Sequence, residues 1–421
     1  MNIDILLGLQ WGDEGKGKIV DVLSPGYDII ARFQGGPNAG HSLEFNNVKH
    51  VLHLIPSGIF HTDKLNIIGN GVVIDPAVFK KEVEELKTPV SELSKRLIIS
   101  ARANLILPSH RILDAAYEFQ KGTTKIGSTL KGIGPAYTDK VSRNGLRVGD
   151  ILRKEFRQLY NNHLKSHLLI LKGYDFRFDL QEYEKGWFDG IEMLKEFQIV
   201  NTEYLINDLS GKGKKVLAEG AQGTMLDVDF GSYPFVTSSN TISAGACNGL
   251  GISPKLIGDI FGIFKAYCTR VGSGPFPTEL NDDTGHFLRN IGREFGSTTG
   301  RPRRCGWLDL PALKYSIMIN GVTKLFITKA DVMSGFKTIR ICTAYNVEGK
   351  KCQEIPFNND SVIEPVYTDF PGWIGDISGI REYSELPEAL KIFLQFIEDQ
   401  TGVPVTMVSV GPDRAETIFR N

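Results

Sequence analysis

The sequence has almost no excess charge of either sign. Its 421 residues include 48 Lys and Arg against 49 Asp and Glu, which gives a formal net charge of −1. Such a balanced chain has no overall field that would hold nucleic acid or an anionic membrane. No charge-free apolar stretch approaches the roughly 18 residues of a membrane-spanning helix. No basic segment followed by an apolar one opens the chain, so we also expect no secretory signal.

Cysteine is scarce as well. The five cysteines are odd in number and scattered, without the spacing of a disulfide framework or a zinc site. We interpret them as reduced thiols, and the sequence therefore predicts a cytoplasmic protein. Glycine, in contrast, is abundant at 45 residues, which indicates many tight loops where the backbone approaches another group closely.

Short apolar segments alternate with helical patterns along the chain. Strands are predicted at 3–10, 29–33, 65–68, 96–100, 216–219, 261–267 and 324–328, and helices at 76–86, 112–120, 311–319 and 386–400. This alternation predicts an α/β fold with a large, mainly parallel central sheet flanked by helices. The region at about 150–210 is poor in strand patterns, and no linker brackets it. We therefore predict a single large domain over 1–421 with a helical insertion at about 150–210.

The strongest local pattern lies between the first predicted strand and a helix. Gly12, Gly17 and Lys18 have the spacing of a phosphate-binding loop. Glycines let backbone N–H groups turn toward phosphate oxygens, and a helix N-terminus adds partial positive charge. The position that normally supplies a hydroxyl to Mg²⁺ is Ile19. Asp13, inside the loop, is the candidate metal ligand instead.

Three further segments suggest ligand contacts. A second glycine-rich loop at 34–42 contains His41 and should leave the same sheet edge. Asp331, in a Thr-Lys-Ala-Asp sequence at a strand end, has two acceptors that suit the N1–H and 2-amino donors of guanine. Arg301 and Arg303 lie among hydroxyls and glycine, as in an anion site. From these residues alone, a GTP-dependent small-molecule kinase and a GTP switch protein stay open.

Nine motifs resemble the adenylosuccinate synthetase family, in the same order and along nearly the whole chain. They are QWGDEGKGK (10–18), QGGPNAGHS (34–42), KGIGPAY (131–137), EGAQGTMLD (219–227), PFVTSSNT (234–241), TRVGSGPFPTE (269–279), TTGRPRR (298–304), TKADV (328–332) and VSVGPDR (408–414). The resemblance implies a ligase that makes adenylosuccinate from IMP, L-aspartate and GTP with Mg²⁺. This reaction is the first committed step from IMP to AMP.

The resemblance also implies residue roles. Asp13 matches the family's general base and a Mg²⁺ ligand, His41 its acid, and Gly40 a carbonyl ligand of Mg²⁺. Lys16 and Gln222 complete the expected catalytic set. Arg143 matches an arginine that family members lend to the neighbouring subunit's IMP, which implies a homodimer.

The expected binding residues fall into three sets. For GTP they are Gly12, Asp13, Glu14, Gly15, Lys16, Gly17, Lys18, Gly40, His41, Ser42, Arg303, Lys329, Ala330, Asp331, Ser409, Val410 and Gly411. For IMP they are Asp13, Glu14, Gly15, Lys16, Asn38, Ala39, Gly40, His41, Thr129, Arg143, Gln222, Thr237 and Arg301. For aspartate they are Ser297, Thr298, Thr299, Gly300, Arg301, Pro302 and Arg303. Pro302 departs from the family, in which arginine is common at this position.

Overall fold

A ten-stranded sheet runs through the centre of the molecule. The computed structural model describes residues 2–45, 48–296, 300–357 and 362–420. The strands are β1 (Ile3–Gly8), β2 (Ile29–Arg32), β3 (His41–Phe45), β4 (Val48–Leu52), β5 (Leu65–Ile68), β6 (Val73–Ile74), β7 (Leu97–Ser100), β8 (Asn104–Leu105), β9 (Gln198–Val200), β10 (Val216–Glu219), β11 (Ile257–Lys265), β12 (Cys268–Arg270), β13 (Arg304–Gly306), β14 (Leu308–Asp309), β15 (Lys324–Thr328), β16 (Thr338–Val347), β17 (Lys350–Cys352), β18 (Ile363–Pro371), β19 (Val405–Ser409) and β20 (Thr417–Phe419).

The helices are α1 (Lys16–Leu23), α2 (Pro76–Glu85), α3 (Val90–Arg96), α4 (Pro108–Gln120), α5 (Ile133–Ser142), α6 (Phe156–Leu171), α7 (Leu180–Glu184), α8 (Trp187–Lys195), α9 (Thr202–Gly211), α10 (Ser243–Leu250), α11 (Asp283–Ile291), α12 (Leu310–Asn320) and α13 (Glu388–Thr401). Among the described residues, no helix is both long enough and apolar enough to cross a bilayer.

The central sheet is parallel except at one edge. Its order is β20-β19-β15-β11-β1-β10-β2-β5-β7-β9, and only β20 runs antiparallel to its neighbour. The central strands β2 and β10 are buried at every position, as expected for a sheet covered on both faces. The predicted fold class is confirmed. In a parallel sheet the carboxyl ends of the strands share one edge, so the loops that follow β1, β2, β10, β11, β15 and β19 gather there.

The predicted elements match the observed ones closely in the buried part of the sheet. The strands predicted at 65–68, 216–219 and 324–328 coincide with β5, β10 and β15. The first strand is shorter than predicted, because β1 ends at Gly8 and the chain enters the loop before Gln10. A second sheet, formed by β14, β16, β17 and β18, is absent from the prediction. Its strands are half-exposed, so their apolar pattern is weaker.

The region at about 150–210 holds helices α6, α7 and α8 and most of α9, together with one strand. The strand, β9, pairs in parallel with β7 and forms an edge of the central sheet. Helix α8 packs on α2, where a side chain at Gly190 would lie 2.2 Å from the carbonyl oxygen of Pro76. The division of the chain into one domain with an insertion stays a prediction.

Candidate active site

The loops at the carboxyl ends of the strands line one large cavity. Its volume is about 1310 Å³. The expected site residues that line it are Gly12, Asp13, Glu14, Gly15, Lys16, Gly17, Lys18, Asn38, Ala39, Gly40, His41, Ser42, Thr129, Gln222, Thr237, Arg301, Arg303, Lys329, Asp331, Ser409 and Gly411. Residues far apart in the sequence therefore meet at one place, as the parallel sheet predicts.

The loop after β1 has the backbone that phosphate binding requires. Gly12, Asp13 and Gly15 all have positive φ angles, of 86°, 61° and 89°. Glycine adopts this region freely, but it is uncommon for aspartate, and such residues concentrate at functional sites. At Gly17, the first turn of α1 lies directly against His41. A Cβ atom at Gly17 would lie 2.9 Å from the Cβ of His41, so glycine is needed for this contact.

Glu14 organises the phosphate loop from inside. Its side chain is fully buried, and Oε1 accepts hydrogen bonds from the backbone N–H groups of Gln10 and Gly12, at 3.1 and 2.9 Å. Its other oxygen, Oε2, lies 2.5 Å from the Nζ of Lys16. Glu14 therefore fixes both the loop backbone and the lysine, while Lys16 still lines the cavity. This internal carboxylate was expected only as a ligand contact.

His41 is oriented by a buried carboxylate. Its Nδ1 lies 2.5 Å from Oε1 of Glu219, at the end of β10. Glu219 also accepts from the Ser57 backbone N–H at 2.8 Å and from the Ser57 hydroxyl at 2.7 Å. With Nδ1–H bound to the carboxylate, Nε2 is left on the cavity side, buried and without a protein partner. The sequence signal for Glu219 was its place in the EGAQGTMLD motif, but the sequence did not indicate a pairing with His41.

Burial and the charge of Glu219 shift the pKa of His41 in opposite directions. Desolvation lowers the pKa of His41, although the hydrogen bond and charge of Glu219 act in the opposite direction. The imidazole is therefore neutral near pH 7, with its proton on Nδ1. An anionic group placed at Nε2 would favour a second proton there.

Asp13 faces an arginine of the predicted anion loop. The Nε of Arg303 lies 2.8 Å from Oδ2 of Asp13. This distance is that of an ion pair. The two groups are not aligned for a hydrogen bond, and Nε therefore has no hydrogen-bond partner. The side chain of Asp13 is 30% exposed, and both Asp13 and Arg303 line the cavity.

Lys18 contacts the last loop of the sheet. Its Nζ donates to the Ser409 hydroxyl at 2.7 Å and to the carbonyl oxygens of Gly411 and Glu416 at 2.6 and 3.0 Å. Burial lowers the pKa of Lys18 to about 8. All three N–H donors are used, so a phosphate oxygen must replace one of these acceptors to bind Lys18.

The predicted base-reading residues lie next to this loop. Asp331 and Lys329 line the cavity after β15, and burial raises the pKa of Asp331. Lys329 donates through Nζ to the Gly292 carbonyl at 2.9 Å. Ala330 and Val410 do not line the cavity, and their N–H groups donate to the carbonyl oxygens of Ser409 and Glu416 respectively.

A loop at 127–132 forms another wall of the cavity. Two carboxylates of α4 hold it, because Asp114 accepts from the Ser128 hydroxyl at 2.7 Å and Glu118 from the Ser128 N–H at 3.2 Å. Elsewhere in the cavity lining, Gln222 donates to Asn38 at 3.2 Å, and its Oε1 has no partner although it is buried. Asp114 and Glu118 were missed, since nothing in the sequence of α4 marks them as loop anchors.

The last expected residues to place are Arg143 and those at 297–302. Arg143 is exposed at the end of α5 and does not line the cavity of its own chain. Arg301 lines it and donates to the Gly127 carbonyl at 3.3 Å, whereas Gly300 and Pro302 do not line it. Ser297, Thr298 and Thr299 lie outside the described residues.

Comparison with known proteins gives one consistent family. The adenylosuccinate synthetase family model matches residues 5–418. An adenylosuccinate synthetase from Bacteroides fragilis is 61% identical over 420 residues, covering 100% of this chain and 99% of that protein. One from Flavobacterium johnsoniae is 58% identical over 423 residues, covering 100% of both.

Solved structures agree with the sequence comparison. A fully ligated adenylosuccinate synthetase from Plasmodium falciparum superimposes with a TM-score of 0.95 at 39% sequence identity, covering 100% of both chains. The match extends over the whole chain in sequence and in fold, and the expected resemblance is confirmed. The chain belongs to the adenylosuccinate synthetase family of ligases.

Proposed function

We propose that this chain converts IMP, L-aspartate and GTP into adenylosuccinate, GDP and phosphate through a 6-phosphoryl-IMP intermediate. Membership of the family supports the overall reaction. The observation that carries the proposed residue roles is the convergence of the phosphate loop, His41, Asp331 and Arg303 on one cavity. Its volume of about 1310 Å³ also has room for more than one substrate.

The chemistry requires a base and an acid at the IMP oxygen. The 6-oxo group of a purine is a poor leaving group, so it must become a phosphate ester before an amine can displace it. Asp13 would take the N1 proton, and O6 would then attack the γ-phosphorus of GTP while GDP leaves. His41 would take up a second proton at Nε2 beside the bound phosphates and would donate it to the oxygen on which charge develops, with Glu219 stabilising the imidazolium.

The second step forms the carbon–nitrogen bond. The amino group of aspartate attacks C6, and phosphate leaves with the former O6. Arg301 and Arg303 would hold the carboxylates of aspartate, because guanidinium groups bind carboxylates through paired N–H donors. Gln222 and Asn38, which contact each other, and Thr237 line the cavity where IMP would bind.

The residues present fit Mg²⁺. Asp13 supplies a partly exposed carboxylate and Gly40 a backbone carbonyl at the cavity wall, and hard oxygen ligands of this type are those that Mg²⁺ prefers. Bound there with phosphate oxygens, the ion would neutralise charge on the nucleotide. Arg303 already contacts Asp13 and is the group that must share this carboxylate with the metal.

The position of Arg143 supports a shared site. It directly follows α5 as the C-cap residue, with a φ of 66°, and lies outside the cavity lining of its own chain. We therefore include in the proposal a homodimer in which Arg143 contacts the IMP of the neighbouring subunit. A cytoplasmic location is likewise part of the proposal.

An omission assay tests the proposed function. Adenylosuccinate formation is followed spectrophotometrically with IMP, GTP, Mg²⁺ and aspartate, leaving out one component at a time. Product formation that needs all four supports the ligase. Full GDP release without aspartate would instead indicate a kinase, and slow GDP release that does not need IMP would indicate a GTP switch protein.

A further inference from the structure

A buried carboxylate outside the expected site contacts the anion loop. Glu294, just after α11, is fully buried. Its Oε1 accepts from the Nζ of Lys265 at 2.9 Å and from the hydroxyl of Tyr267 at 2.5 Å. Its Oε2 accepts from Nη1 of Arg303 at 2.5 Å. The carboxylate of Glu294 therefore accepts hydrogen bonds from three side chains, and two of them, Lys265 and Arg303, are cationic.

The backbone reinforces the same connection. The N–H of Arg303 donates to the carbonyl of Glu294 at 2.9 Å. Glu294 thus fixes the guanidinium of Arg303 through Nη1, and the Nε atom of the same group lies beside Asp13. Arg303 lies between a buried carboxylate that belongs to the fold and an accessible one that belongs to the proposed site.

A purely structural role for Glu294 accounts for only part of this arrangement. Lys265 is fully buried and needs a counter-charge. However, a buried ion pair adds little stability compared with apolar residues of the same size. Burial by itself raises the pKa of Glu294, but the charges of Lys265 and Arg303 outweigh it and lower the value to about 2. The carboxylate is therefore always charged near pH 7, and its charge acts on Arg303.

We propose that Glu294 is a positioning residue that orients Arg303 for the carboxylate of the amino-acid substrate. The proposal rests on the proposed function. With Nη1 fixed by Glu294, the rest of the guanidinium is presented to the cavity in one orientation, so less freedom is lost when a substrate carboxylate binds. Lys265 keeps Glu294 in place, and the site itself does not contain Lys265.

Glu294→Gln tests this positioning. The amide keeps the shape but removes the charge that holds Arg303. We expect the KM for aspartate to rise at least about tenfold, because an ion pair with Arg303 is replaced by a weaker hydrogen bond to an uncharged amide. The kcat at saturating aspartate and the KM for IMP are expected to stay within about threefold. A purely structural defect would lower kcat or the amount of folded enzyme, and it would not raise the KM for aspartate selectively.

A double variant separates positioning from charge compensation. Glu294→Gln leaves Lys265 buried without the counter-charge of Glu294, although its Nζ still donates to the Thr269 hydroxyl. Glu294→Gln combined with Lys265→Met removes both charges. If Glu294 only compensates Lys265, the double variant recovers both thermal stability and the wild-type KM for aspartate. If Glu294 positions Arg303, the double variant recovers Tm but keeps the raised KM. Where the single variant does not fold, the double variant carries the test.

The neighbouring arginine provides a matched control. Glu279 pairs with Arg304 through two contacts, of 2.7 and 2.5 Å, and does not line the cavity. Glu279→Gln removes a similar charge from the adjacent arginine, and we expect the KM for aspartate to change less than about twofold. An unchanged KM for aspartate in both the single and the double Glu294 variants would overturn the inference. Failure of the wild-type enzyme in the omission assay would instead refute the proposed function.

Discussion

Replacing Glu219 with glutamine isolates the carboxylate that orients His41. In the structure Glu219 is fully buried and accepts three hydrogen bonds, one from His41 and two from Ser57. The glutamine side chain keeps one acceptor oxygen but brings an NH₂ group that must face either the imidazole or the Ser57 N–H. In both orientations the charge that stabilises a doubly protonated His41 is lost.

The size of the effect follows from this contact. A hydrogen bond to a charged group contributes about 1.5–3 kcal/mol, roughly twice a neutral one. Because each 1.36 kcal/mol changes a rate about tenfold, kcat should fall roughly ten- to 150-fold. The KM values for IMP and GTP should change less than about threefold, since Glu219 does not line the cavity.

Steady-state kinetics of adenylosuccinate formation measure both quantities, and a thermal melt checks that the variant is folded. Ser57→Ala is the matched control, because it removes one hydrogen bond from an uncharged hydroxyl to the same carboxylate and keeps the charge of Glu219. It should lower kcat less, by roughly two- to tenfold. A folded Glu219→Gln enzyme with wild-type kcat would refute the role assigned to the His41–Glu219 pair.

Three further changes test other parts of the account. Arg143→Leu should weaken IMP use. Mixing this variant with Asp13→Asn should restore part of the activity, because one site of the hybrid dimer has both residues intact. No recovery after confirmed subunit exchange would show that Arg143 does not act at the neighbouring site. Asp331→Asn should shift the ratio of kcat/KM values from GTP toward XTP by roughly five- to more than a hundredfold. An unchanged ratio would mean that another loop reads the base. Asp139→Asn should lower the free energy of unfolding at pH 7 in urea titrations. Asp139 lies in α5, and its Oδ2 accepts from the Nε2 atoms of His110 and His167 at 2.9 and 3.0 Å. Burial opposes ionisation of Asp139, but these hydrogen bonds hold its pKa well below the usual range. The difference in unfolding free energy should therefore vanish as the pH falls well below about 4, and a difference independent of pH would contradict this.

The sequence predicted the parallel sheet because its strands are buried on both faces. β2, β5, β10 and β15 each have three apolar residues in four or five positions between turn signals, and their limits were predicted to within one residue. The β16–β18 sheet was missed, since its strands are half-exposed and lack a continuous apolar pattern. The loop glycines were also predictable, because phosphate binding and close backbone approach both restrict the residue type.

Contacts between particular charged side chains could not be predicted. The pairs His41–Glu219 and Arg303–Glu294 join positions that are 178 and nine residues apart. Glu219 opens the EGAQGTMLD motif, but the motif does not indicate its partner, and nothing in the chain near Glu294 distinguishes that residue from the other Asp and Glu residues. Similarly, Lys18 was expected at phosphate, and only the fold reveals the three acceptors of the last loop around its Nζ. Its role at phosphate stays a prediction.

The central claim is that O6 of IMP becomes a phosphate ester before aspartate attacks C6. The most direct test uses IMP labelled with ¹⁸O at the 6-position, together with GTP, Mg²⁺ and aspartate, and mass spectrometry of the released phosphate. If O6 becomes a phosphate ester, each released phosphate carries one ¹⁸O atom for every adenylosuccinate formed. Unlabelled phosphate, with the ¹⁸O recovered in water, would contradict the account.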